Sequence, residues 1–202
     1  MDSPAQCTLG KLRSSTRAFR EMFVDASYAD AFRWFHWLTR DRDFSAELTQ
    51  ETFRAFWESL ASGDGGTSAR VWLFAIGRNV WRNACRQRRR NLALSEGAAE
   101  VEGFGLASQD LPAAERITAD ERAQAIRRAV ADLPADLREA ATLRYWENYS
   151  YNEIGDVLDI SPELARQRVF QARKVLRDWL SNWAPAADAR ESDQYKGEEI
   201  QP

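Results

Sequence analysis

Arg78, Arg82 and Arg86 recur every four residues in a stretch that ends in Arg88-Arg89-Arg90. Residues four apart share a helix face, so these guanidiniums make one basic stripe suited to phosphate oxygens. From Gly65 to Ser95 the only charges are arginines, Arg70 included. A second group lies in Tyr149–Arg173, where Arg166, Gln167, Arg168 and Arg173 follow a turn. These residue types bind and read a polyanion; they do not make or break bonds. No nucleophile–base constellation is present, and Gly63–Gly66 is too short, and lacks the lysine, for a nucleotide-cradling loop. The single histidine, His36, sits in an aromatic helix and reads as structural. Cys7 and Cys85 lie far apart with no histidine or C-x-x-C pattern, so neither a disulfide framework nor a metal is expected. No cofactor, metal or catalytic residue is expected, and the chain is not read as an enzyme.

Helices must position these groups. Ser150 and Glu153 have capping-box spacing, followed by Ile154, Val157 and Leu158 as the apolar stripe of a short helix. Asp159-Ile160-Ser161 makes a turn, and Ser161-Pro162 is a strong start for the next helix. That second helix places Ala165, Val169, Ala172, Leu176 and Trp179 on one face, leaving its basic residues on others. A capped turn followed by a basic helix is a helix-turn-helix, whose second helix enters a DNA major groove. Upstream, Thr16 to Arg90 shows helical periodicity throughout. Its helices are an aromatic one through Ala31–Leu38, one from Ser45 to Leu60, and a long one from about Ala69 to Arg90. Leu73, Ile76, Val80 and Ala84 form the core face of the long helix. Residues 62–68 are a loop. Thr118–Glu121 reads as a capping box opening a helix to about Asp132, and a further helix runs through Leu143 and Trp146.

The expected architecture is therefore all-α, with two helical domains. Residues 16–90 form the first, 91–117 a flexible linker, 118–183 the helix-turn-helix domain and 184–202 a disordered acidic tail. Residues up to about Ser15 read as loose. Fully extended, the linker would reach roughly 90 Å. The chain has 202 residues, a net charge of −3, 29% charged residues and a mean hydropathy of −0.57. No apolar run approaches the ~20 residues of a membrane span, so no membrane insertion and a cytoplasmic location are expected. The net charge conceals a segregation: the arginine-rich 65–95 segment is followed by Glu96–Glu121, where seven acids face Arg116 alone. That pattern points to a localised polyanion site beside a segment that could mimic or repel one.

Three stretches in order resemble the extracytoplasmic-function (ECF) class of bacterial RNA polymerase sigma factors. They are Leu48-Thr49-Gln50-Glu51-Thr52-Phe53 with Trp57, Trp72-Leu73-Phe74-Ala75-Ile76-Gly77-Arg78-Asn79 running into the arginine cluster, and Leu133-Pro134 through Arg173. Together they span roughly Phe19 to Trp183, with only the linker unmatched. The resemblance implies a subunit that binds core RNA polymerase and directs promoter-specific transcription initiation. The helix bearing Glu47, Leu48, Gln50, Glu51, Phe53 and Trp57 would dock on the clamp helices of the largest subunit. The long helix and the 62–68 loop would melt the minus-ten element, using Trp72, Arg78, Asn79, Arg82 and Arg86. The helix-turn-helix would bind the minus-thirty-five element near the polymerase flap, through Arg166, Gln167, Arg168 and Arg173.

Three departures stand out. Asp159 occupies a turn position where the family often has Gly, a mild change because Asp tolerates a left-handed backbone. Ala69 replaces an aromatic common before the Trp-Leu pair. Phe44-Ser45-Ala46-Glu47 replaces an acidic run ahead of the docking motif, so two of its three carboxylates are missing. Some subgroups of the family are switched by serine/threonine kinases. Phosphorylation at Thr49, with Thr52 or Ser45 as alternatives, would add about −1.5 to −2 charge and offset that deficit. A kinase or an anti-sigma protein is thus an expected partner beside polymerase and promoter DNA. The competing reading is a stand-alone helix-turn-helix regulator that binds its operator as a dimer. A third is an adaptor that binds polymerase without choosing promoters.

Overall fold

The computed structural model describes residues 6–95 and 119–183. The expected capping box at Thr118, most of the linker and the acidic tail lie outside the described residues. The described chain is eight helices. α1 (Leu9–Ser14), α2 (Arg17–Thr39), α3 (Arg42–Ser59) and α4 (Ala69–Ser95) form an N-terminal unit. α5 (Ala119–Ala131), α6 (Ala135–Tyr145), α7 (Tyr151–Leu158) and α8 (Pro162–Trp183) form a C-terminal one. No β-strand occurs among the described residues; a single antiparallel bridge joins Thr8 to Ser68.

Local signals set most boundaries. Thr16 caps α2 by accepting from the Phe19 N–H, and Asp41 caps α3 by accepting from the Phe44 N–H. Arg40, between them, is left-handed at φ 57°. The helical pattern breaks at Arg40-Asp41, and α3 begins at Arg42, three residues before the expected Ser45. Ser150 and Glu153 form both halves of the expected capping box, at 3.3 and 2.8 Å.

Residues 6–15 depart from the expectation of a loose segment. Leu9 and Leu12 of α1 are fully buried, with Cys7 beside them, in a cluster with Phe23, Phe56 and Leu73. Burial of each leucine is worth about 1.5–3 kcal/mol, which holds a six-residue helix that would not form alone. The α1 carbonyl end is tied to α2: Arg20 donates to the Arg13 and Leu12 carbonyls at 2.6 and 3.3 Å.

The two units are packed together. A single apolar cluster takes Trp34, Phe35, Phe74 and Trp81 from α2 and α4, and Leu143, Tyr149, Ile154 and Val157 from the C-terminal unit. The Trp34 indole N–H donates to the Thr142 hydroxyl at 3.1 Å, and the Trp37 and Trp146 rings lie 4.2 Å apart. The helices that carry the basic residues are thereby held in one body.

Candidate nucleic-acid interface

The helix-turn-helix is fixed by its turn. Asp159 takes φ 49° and ψ 54° at the end of α7, and its N–H and that of Ile160 both reach the Gly155 carbonyl. A Cβ on Gly155 would stand 2.8 Å from the Ile160 carbonyl oxygen, so the chain can double back so tightly only with glycine there. Ser161 then caps α8 by accepting from the Leu164 N–H at 3.2 Å. Ala165, Val169 and Ala172 are buried as the spacing predicts.

Arg166, Gln167 and Arg173 are exposed, and with Tyr145, Tyr151 and Phe170 they line an open groove along α8. Phe170 is 63% exposed, the most exposed large apolar side chain among the described residues. An aromatic left in water between arginines and a glutamine suits the apolar face of a base, such as a thymine methyl. Its place four residues after Arg166 is readable in the sequence, and the sequence expectation passed it over. Arg168 departs from expectation. Its side chain is only 19% exposed and turns back to Asp136 of α6 at 3.6 Å, bracing the helix pair instead of facing the groove.

The basic stripe of α4 is also not uniform. Arg82, Arg86 and Asn79 are exposed, and Arg86 donates to Asn83 at 2.5 Å. Arg78 is buried and donates through Nε to Glu139 of α6 at 2.9 Å, while Arg82 reaches the other Glu139 oxygen at 3.5 Å. The Glu139 side chain is 1% exposed, so a carboxylate stands where a phosphate would be expected. A parallel network ties Arg70 to Asp30 at 3.0 Å and to Glu147 at 2.8 Å, with Arg33 joining both acids. Burial pushes the Glu147 carboxyl above the usual carboxylate range, only partly offset by Arg33 and Arg70. Burial likewise pushes the Tyr149 hydroxyl up; its ring lies under the Arg70 guanidinium at 4.7 Å. Trp72 is half-buried, its indole N–H 3.4 Å from the Ser59 hydroxyl. It borders a groove with Thr67, Asp156 and Asp159 that separates the 62–68 loop from the helix-turn-helix.

On α3, Glu47 and Gln50 are exposed and Glu51 is half-exposed, paired with Arg54. Hydrogen bonding to Arg54 holds the Glu51 carboxyl below its ordinary range. Leu48 and Phe53 are buried and Trp57 half-buried, so they seat the helix and leave its acidic face outward. Thr49, Thr52 and Ser45 are on the inner face, at 0, 1 and 0% exposure. Thr49 donates to the Ser45 carbonyl and Thr52 to the Leu48 carbonyl, both at 2.7 Å. The Ser45 hydroxyl donates to the Asp41 carbonyl and meets the Thr39 hydroxyl. None of the three hydroxyls is open to a kinase in this fold, which corrects the expectation of modifiable side chains on the docking face. The Arg88 guanidinium covers the Phe44 ring at 3.3 Å, so the start of α3, which carries Asp41 and Asp43, also makes a cation–π contact.

Among the described residues no group of histidines, cysteines or acids could hold a metal, and no helix is long and apolar enough to cross a membrane. Residues 23–91 match the family model "Sigma-70 region 2" and residues 123–176 match "Sigma-70, region 4". The chain is 32% identical over 134 residues to the ECF RNA polymerase sigma-E factor of Escherichia coli (strain K12), covering 64% of this chain and 70% of that protein. It is 30% identical over 140 residues to the RNA polymerase sigma-H factor of Pseudomonas aeruginosa, covering 67% and 72% respectively. Its fold resembles that of the sigma factor RpoE solved with the anti-sigma factor NepR from Bartonella quintana. The TM-score is 0.65 at 24% identity, covering 82% of this chain and 98% of that one. CnrH, solved with the cytosolic domain of CnrY, gives a TM-score of 0.57 at 20% identity over 87% and 96%. With region 2 on α2–α4, region 4 on α5–α8 and relatives matched over more than two thirds of their length, the chain belongs to the ECF class of RNA polymerase sigma factors.

Proposed function

We propose that this sigma factor binds core RNA polymerase through the outward face of α3, melts the minus-ten element with α4 and the 62–68 loop, and binds the minus-thirty-five element with α8. The observation that carries the reading is the exposed set Arg166, Gln167, Phe170 and Arg173 on a helix seated by a fully formed capped turn. Arg166, Gln167 and Phe170 are the base-reading candidates and Arg173 a phosphate contact; Arg168 is reassigned to bracing. On α4, Arg82, Arg86 and Asn79 are available to the separated strand, with Trp72 at the edge of the loop. On α3, Glu47, Gln50 and Glu51 are the polymerase contacts, seated from below by Leu48, Phe53 and Trp57.

Arg78 joins the minus-ten set only after α4 parts from α6, because in the closed body it is committed to Glu139. The working form is therefore an opened one. A phosphate on Thr49, Thr52 or Ser45 would add charge to the packed side of α3 and not to its docking face, so the kinase switch loses its support.

Run-off transcription with core polymerase and a promoter library tests the assignment. Specific transcripts that require the protein and weaken on changes at either promoter element are expected. Tight operator binding without core enzyme, and no transcript, would overturn it in favour of a stand-alone regulator.

A further inference from the structure

The segment before α2 does more than complete a core. Across Cys7–Gly10 it runs antiparallel to the 62–68 loop: the Leu9 N–H donates to the Thr67 carbonyl at 2.9 Å, the Gly10 N–H to the Gly65 carbonyl at 3.0 Å, and the Ala69 N–H to the Cys7 carbonyl at 2.9 Å. Arg13 completes the clasp. Its two terminal nitrogens donate to the Gly63 carbonyl at 2.5 Å and the Ala61 carbonyl at 3.3 Å, across fifty residues of sequence. The fit is close. A Cβ on Gly63 would meet the Leu9 side chain at 2.5 Å, with the Trp72 ring next at 3.6 Å, and one on Gly10 would stand 3.0 Å from the Gly65 carbonyl oxygen.

The loop itself is Ser62-Gly63-Asp64-Gly65-Gly66-Thr67-Ser68. Three glycines give it a large conformational entropy and little shape of its own. A loop that receives an unstacked base has to present a pre-formed pocket, because ordering it at the moment of capture would cost the selectivity the pocket confers. The clasp bonds to backbone groups alone, the Gly63, Gly65 and Thr67 carbonyls within the loop and the Ala61 carbonyl and Ala69 N–H at its ends, so it fixes the path of the backbone and leaves the exposed Asp64 side chain outward.

We infer that Arg13 is a positioning residue that holds the 62–68 loop in its base-receiving shape, so that discrimination at the captured minus-ten base is set from the N-terminal strap. The inference rests on the reading of 62–68 as the base-capturing loop.

The test uses the full chain with core polymerase and a promoter set that differs only at the minus-ten bases. The readout is the ratio of open-complex yield on the preferred base to that on each alternative. Arg13→Ala should lower that ratio by roughly tenfold, the worth of one base contact, with core binding and minus-thirty-five duplex affinity unchanged. Arg13→Lys should recover part of it, since an ammonium has no fork to span both carbonyls. Gly10→Ala, which pushes on the loop without touching Arg13, should reproduce the loss. Hydrogen exchange of the Gly63–Thr67 amides should rise in Arg13→Ala and Gly10→Ala while α3 and α4 keep their protection. Asp64→Ala and Thr67→Ala separate this inference from its premise. If they change the ratio and the strap variants do not, the strap is only structural and the inference falls. If none of the five variants changes it, 62–68 does not capture the base and both readings fall.

Discussion

Exposure separates what a side chain does for folding from what it does for DNA. Phe170 is 63% exposed, so its truncation to Ala should leave stability within about 0.5 kcal/mol. Binding to a minus-thirty-five duplex should weaken about tenfold, the worth of burying one aromatic face against bases. Fluorescence anisotropy on the duplex, paired with a thermal melt, checks both. Unchanged affinity would remove Phe170 from the interface. Thr49 is the opposite case. Its hydroxyl bonds back to the Ser45 carbonyl inside the core face of α3, so Thr49→Val keeps the shape and should cost no more than about 1 kcal/mol. Thr49→Glu buries a carboxylate without a partner and should cost ~3 kcal/mol or more. Denaturant titration measures both, and core-polymerase binding of the valine variant should match the unmodified protein. A glutamate variant that stayed folded and bound core more tightly would revive the phosphorylation switch. The burial of Thr49 was legible in the spacing, since it shares a helical face with Ser45, Thr52, Phe53 and Phe56, all buried. Reading the threonines for their chemistry obscured their period.

At the scale of the element, the turn between α7 and α8 has two positions that respond in opposite directions to small changes. Asp159 pays for a left-handed backbone at φ 49°, so Asp159→Gly should stabilise the protein by about 0.5–1 kcal/mol. Gly155→Ala places a methyl 2.8 Å from the Ile160 carbonyl oxygen. Backbone cannot yield as a flexible side chain would, so a cost of about 1–3 kcal/mol is expected, with loss of minus-thirty-five affinity as α8 shifts. Chemical denaturation of the two variants side by side is the check; a stabilising Gly155→Ala would refute the close approach. The helix-turn-helix was the most legible part of the chain because its signals are local: Ser150 answers Glu153 within one turn, and Pro162 follows Ser161 directly. α1 was illegible for the converse reason. Six residues with two buried leucines carry too little periodicity, and their partners are the 62–68 loop and the α2–α4 core. Arg168 was misplaced similarly, since Asp136 lies 32 positions earlier with no pattern linking them.

The whole molecule holds α4 and α8, the two helices proposed to bind the promoter, in one body, and the pairs that do so lie far apart in sequence. Arg78 and Glu139 are 61 residues apart, and neither announces the other. The sequence reads Arg78 as one third of a phosphate stripe; the fold spends it on closure. The pair is nearly dry, with side-chain exposures of 10% and 1%, so salt screens it far less than the outer arginines. Removing one partner of such a pair costs more than the pair gains, about 3–5 kcal/mol, because the other charge is left buried. Glu139→Ala should therefore drive the two units apart, where Arg78 regains water, and not merely soften the closed body. Distance measured by energy transfer between labels on α3 and α8 should lengthen. The paired change Glu139→Leu with Arg78→Leu should restore the closed distance, since an apolar pair needs no compensating charge. If Glu139→Ala keeps the closed distance, the shared apolar core of Trp34, Phe74 and Tyr149 holds the units without the ion pair, and opening must be driven by polymerase binding alone.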